Sequence, residues 1–174
     1  MTSVVVDVIA ETPLWVSLPG AEDLVERAAA AAVAAAGVVV LAGAEISIML
    51  ADDARLRELN REWRGQDKPT NVLSFPAVPP DRLATSPLLG DIAVAYETAR
   101  REAEAEDKAL PDHLVHLVVH GTLHLLGHDH LDPVEAQRME ALEIRVLAGL
   151  GIADPYGDLP LDEAAPAIRM ARTP

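Results

Sequence analysis

His113-Leu-Val-His116-Leu-Val-Val-His120-Gly-Thr-Leu-His124-Leu-Leu-Gly-His128-Asp-His130 contains all six histidines of the chain within eighteen positions. Four of them, His113, His116, His120 and His124, are spaced by three and four residues, so on a helix of 3.6 residues per turn they form one stripe facing one cavity. Leu114, Val115, Leu117, Val118, Val119, Leu123, Leu125 and Leu126 surround them, which makes the helix apolar nearly all round and places it inside the domain. A buried imidazole is costly unless its nitrogens find hydrogen bonds or a metal. Gly127 ends the helix as a left-handed C-terminal glycine, and the turn after it returns His130 towards the helix face. Three imidazoles, those of His120, His124 and His130, are expected to converge.

Those three read H-x3-H-x5-H, with a glycine between the last two. Against the metzincin peptidase pattern H-E-x-x-H-x-x-G-x-x-H every ligand and the glycine match, and Gly121 stands where the glutamate should be. Three neutral nitrogens at about 2.0–2.1 Å and one open position describe a catalytic zinc site, one ion per chain. Nickel or copper suits the same atoms, so metal availability decides between them. Without the glutamate, peptide hydrolysis by the metzincin route is disfavoured. The proton acceptor is then open between the nucleophile itself, His116, His128 and the substrate. His113, His116 and His128 read equally well as core histidines, or as groups that hold the ligands in place.

The chain has 174 residues, half of them apolar, enough for one domain with a sizeable core. It has no cysteine, so a zinc site must use histidine or carboxylate. The amino terminus lacks a basic start and a long apolar run, and a cytoplasmic protein is expected. The uncharged stretch 28–44 is too short and too glycine-interrupted to span a membrane, and reads as an alanine-rich helix running into a strand. A net charge of −14 opposes nonspecific coating of nucleic acid. Any RNA contact must be local, and no membrane or DNA partner is expected.

In order, residues 4–9 read as a strand, 21–37 as a helix with Glu22 and Asp23 in its first turn, and 44–51 as an alternating strand. Asp52 or Asp53 caps a helix over 54–63. Residues 71–75 and 88–94 read as strands, 96–108 as a charged helix, and Pro111 and Asp112 open the histidine helix. Asp132 and Pro133 start a last helix from 134 to about 149. The expected fold is α+β: a small mixed sheet of about four strands and about five helices around the buried histidine helix, with a zincin-like metal site. Residues 1–156 are read as a single metallo-hydrolase domain. Residues 157–174, rich in proline, are read as an extended or disordered tail.

Residues 55–68 hold five of the fourteen basic side chains against three acids. Arg64 and Lys68, read as loop residues, suit a phosphate, and arginine can hold one at two points. Arg55 and Arg57 read as solvated helix-face charges.

Three stretches, Arg64-Gly-Gln-Asp-Lys-Pro-Thr-Asn-Val-Leu-Ser-Phe-Pro76, Leu88-Leu-Gly-Asp-Ile92 and Asp154-Pro-Tyr156, together with the histidine motif, resemble the bacterial YbeY-type rRNA maturation factors. That family is described as single-strand-specific metallo-endoribonucleases. The resemblance implies zinc on His120, His124 and His130, a functional arginine at Arg64, and a role in 16S rRNA 3′-end maturation and ribosome quality control. It implies ribosomal RNA and the small ribosomal subunit as partners, with ribosomal proteins or an assembly GTPase beside them. Arg64, Lys68, Ser74, His116 and His128 make up the candidate substrate-binding set, and Arg64 with the three ligands the catalytic set. His128 stands where many members have tyrosine. The rival readings are a noncatalytic ribosome-assembly factor with a structural zinc, and a zinc hydrolase of another substrate.

Overall fold

The computed structural model describes residues 3–157. The expected tail lies outside the described residues except for Gly157. Nine regular elements follow in the order β1 (Val5–Ala10), α1 (Ala21–Ala35), β2 (Glu45–Ala51), α2 (Asp53–Arg64), β3 (Val72–Pro76), β4 (Leu88–Ala95), α3 (Tyr96–Ala105), α4 (Leu110–Leu125) and α5 (Pro133–Gly149). The strands form one mixed sheet in the order β1-β2-β4-β3. β1, β2 and β4 run parallel, and β3 is antiparallel to β4, with Val72 opposite Val94 and Pro76 opposite Gly90. Proline is tolerated there because β3 is an edge strand. The α+β class, with four strands and five helices, is as the sequence implied.

Alternation along the strands divides the apolar residues between two faces. Ile46, Ile48 and Leu50 of β2 and Ile92 and Val94 of β4 point into the main core, where they meet Val25, Ala28, Ala29 and Ala32 of α1 and the apolar surface of α4. Ala51, Leu73, Ala93 and Ala95 point the other way and pack with Leu56 of α2. The histidine helix is buried along nearly its whole length, from His113 to Leu123, as its composition requires. The alanines of α1 let α4 approach closely on one side, while α5 covers it on another.

Local chemistry sets the helix ends. The Asp52 carboxylate accepts from the Arg55 amide at 2.9 Å at the start of α2, and Asp132 accepts from the Glu135 amide at 2.9 Å at the start of α5. Two expectations need correction. Residues 38–41, expected to enter a strand, form an irregular connection: left-handed Gly37 and Gly43 bracket them, and the Leu41 amide bonds the Leu83 carbonyl of a loop instead of a ladder partner. Arg64, expected in a loop, closes α2, and Gly65 in the left-handed conformation provides the cap that ends it.

Candidate metal centre

α4 carries His120 and His124 one helical turn apart, so their rings meet edge to face on one side of the helix, with centroids 4.8 Å apart. At the end of α4 the Gly127 amide bonds the His124 carbonyl, and the His128 amide bonds the Leu123 carbonyl. These bonds satisfy carbonyls that the helix leaves open. Gly127 has φ +95°, and a Cβ there would lie 2.6 Å from Pro80 Cγ. The chain reverses there, and the His130 ring comes within 5.1 Å of the His124 ring and 5.7 Å of the His120 ring, centroid to centroid. One nitrogen from each of the three rings lies within 4.8 Å of the other two. Among the described residues this is the one group of three or more histidine or carboxylate side chains arranged to hold a metal.

The donor set fits a divalent ion. Nε2 of His120 and of His124 are both buried without a hydrogen-bond partner, which is costly for imidazole nitrogens that nothing else satisfies. Burial, then the neighbouring His120 and His130, pushes the His124 imidazole down to about 3. It is therefore neutral at physiological pH, the state a metal ligand needs.

The stripe of four histidines does not face one cavity, contrary to expectation. It runs about 16 Å along the helix, so its members meet different neighbours. His113 Nε2 lies 2.9 Å from Glu102 of α3, whose carboxylate also accepts from Asn71 at 3.1 Å. His116 sits one level along, with Nε2 3.3 Å from the Tyr156 hydroxyl. Only His120 and His124 reach the site where His130 arrives.

Sequence reasoning missed Glu143. This residue of α5 is completely buried, and its Oε1 bonds His120 Nδ1. Its Oε2 accepts from the Tyr156 hydroxyl at 2.5 Å. Burial opposes its ionisation, but His120 and His116 outweigh that and hold its carboxyl below the usual carboxylate range. The Tyr156 hydroxyl is pushed up, first by burial and then by the Glu143 charge, and stays a neutral donor. The available signal was positional: Glu143 falls within the apolar spacing Met139, Leu142, Val146, Leu147 of α5.

The remaining candidates lie on other elements. Ser74 is buried in β3, and its hydroxyl donates to the Gly121 carbonyl at 3.1 Å. Lys68 is exposed in the turn after α2, and its carbonyl accepts from Asn60. Arg64 is half-buried at the end of α2, and His128 is half-buried beyond α4. Arg57 makes a two-point ion pair with Asp67 at 2.8 and 3.1 Å, and Arg55 pairs with Glu58 at 3.0 Å, so much of the positive segment is neutralised within itself. No helix of the described residues is long and apolar enough to cross a membrane.

Comparison with known proteins gives the same family from two directions. A family model described as Endoribonuclease YbeY matches residues 16–151. An Endoribonuclease YbeY of Azorhizobium caulinodans is 58% identical over 152 residues, spanning 87% of this chain and 95% of that relative. One from Bradyrhizobium sp. is 52% identical over 160 residues, spanning 87% of this chain and 92% of the relative. The solution structure of TM1509 from Thermotoga maritima shares the fold, with a TM-score of 0.53 at 23% identity over 84% of this chain and 91% of that one.

Proposed function

The chain belongs to the YbeY endoribonuclease family, and from that premise we propose that it is a zinc-dependent, single-strand-specific endoribonuclease acting in 16S rRNA 3′-end maturation in the cytoplasm. The observation that carries the reading is the meeting of three imidazoles, two of them with buried, unsatisfied Nε2 atoms. His120, His124 and His130 would hold one ion per chain. Such an ion supplies Lewis-acid polarisation of a phosphodiester and access to a nucleophile at neutral pH.

The rest is the work of the chain's own residues. Arg64 binds the substrate phosphate and fixes it against the histidine site, with Lys68 adding charge along the RNA backbone. No carboxylate stands at Gly121 to take a proton. His116 is enclosed against Tyr156, which leaves His128 as the half-buried histidine open to a substrate proton. Burial lowers the His128 imidazole, so its ring is neutral and able to accept at physiological pH. Ser74 acts from beneath, holding β3 against the helix that carries the ligands.

Purified protein of defined zinc content is incubated with single-stranded fragments of precursor 16S rRNA, beside Arg64→Ala and His124→Ala. Cleavage by the wild type and its loss in both variants supports the proposal, and equal cleavage by all three assigns the activity to a contaminant. The net charge of −14 favours a second reading, a noncatalytic assembly factor that meets basic ribosomal proteins. That reading expects ribosome association without cleavage.

A further inference from the structure

Glu143 poses a question that packing alone does not answer. A completely buried carboxylate on the apolar face of α5 is costly unless both oxygens are matched, and a leucine or glutamine would fill similar space. Both oxygens are matched here, and by groups that lead to the metal site. We propose that Glu143 is the positioning residue for the metal centre, aiming His120 through its Nδ1, and that Tyr156 fixes Glu143 in the orientation this requires. The inference rests on the reading of His120, His124 and His130 as metal ligands.

The hydrogen-bond directions follow from the atoms. An ionised carboxylate only accepts, so His120 Nδ1 carries the hydrogen and the lone pair is left on Nε2, the buried atom without a partner. The Tyr156 hydroxyl donates to the second carboxylate oxygen at 2.5 Å, and its own oxygen accepts from His116 Nε2 at 3.3 Å. The direct path from His116 to Glu143, at 3.6 Å, is too long for a hydrogen bond. The carboxylate is thus held at both ends and cannot turn away from His120. Tyr156 is fixed in turn: its amide bonds the Asp154 carboxylate at 2.8 Å, and Lys108 holds the Pro155 carbonyl at 3.3 Å. This gives the Asp154-Pro-Tyr156 motif a physical task, as the outer anchor of a chain of contacts that ends on a metal ligand.

The test is zinc affinity of the full chain, measured by competition with a chromophoric chelator, with thermal unfolding of the metal-free proteins alongside. Glu143→Gln should weaken zinc binding about 10–100-fold, the usual cost of removing a ligand's supporting partner. Tyr156→Phe should weaken it in the same direction by less. Glu102→Gln is the control, because Glu102 bonds His113 on the same helix two turns away and should stay within twofold of wild type. At saturating cobalt, the visible bands of Glu143→Gln should differ from those of wild type, reporting a turned His120. Affinity and cobalt bands of Glu143→Gln equal to wild type would overturn the inference, as would an equal loss in Glu102→Gln, which assigns the effect to general loosening of α4. If Glu143→Gln does not fold, wild-type affinity in Tyr156→Phe overturns it instead. A wild-type chain that binds no zinc defeats the metal reading itself, which is a different result.

Discussion

The Ser74 hydroxyl donates to the main-chain carbonyl of Gly121 at 3.1 Å, tying the edge strand β3 to the middle of the histidine helix. The approach is so close that a Cβ on Gly121 would lie 3.0 Å from Ser74 Oγ and 3.3 Å from Ile92 Cγ2. The position that carries a catalytic glutamate in metzincin peptidases is occupied here by the sheet. Gly121→Glu should therefore cost stability, about 3–5 kcal/mol for an unpaired charge forced against a packed face, and should confer no peptidase activity. Chemical denaturation of the metal-free variant checks the first outcome, and a peptidase assay with zinc the second.

Removal of a ligand should empty the site. His124→Ala and His130→Ala are expected to fall from one zinc per chain to none after dialysis against a weak chelator, with RNA cleavage lost in parallel. Elemental analysis of the dialysed proteins measures the first directly. Retention of a full equivalent by either variant would remove that residue from the ligand set.

Acid should act on the fold through His124. In the unfolded chain this imidazole takes a proton near pH 6.5, whereas burial and the neighbouring His120 and His130 hold it down to about 3 in the fold. Between those values the unfolded chain binds more protons, so stability rises with pH. The full contribution is present above about pH 6.5 and is lost progressively as pH falls towards 3. Denaturant midpoints of metal-free protein across this window should decline with acid, and His124→Ala should flatten part of the decline.

Arg64 and Arg57, on the same helix, should behave differently. Arg57→Ala removes an exposed pair with Asp67 and should leave RNA cleavage unchanged, since solvated pairs contribute little. Arg64→Ala should lower kcat/KM about 100-fold if it binds the reacting phosphate. Equal kinetics for the two variants would remove Arg64 from the site.

Much of this molecule could be read along one line of residues, and the reason is locality. The spacing of His120 and His124 sets their angle around one helix, Gly127 permits the left-handed turn that returns His130, Asp52 and Asp132 cap helices through bonds three residues long, and alternation assigns the faces of β2. These interactions span a few residues, so their geometry is written in the order of the side chains. What only the tertiary structure decided depends on segments far apart in the chain. Glu143 meets His120 across 23 positions, and Tyr156 meets His116 across 40. In sequence, Glu143 resembles Glu135 and Glu140 of the same helix, and only the packing of α5 against α4 buries it. The histidine stripe divided for the same reason: one helical face met Glu102, Tyr156 and the His130 turn at successive levels, and each neighbour imposed its own chemistry.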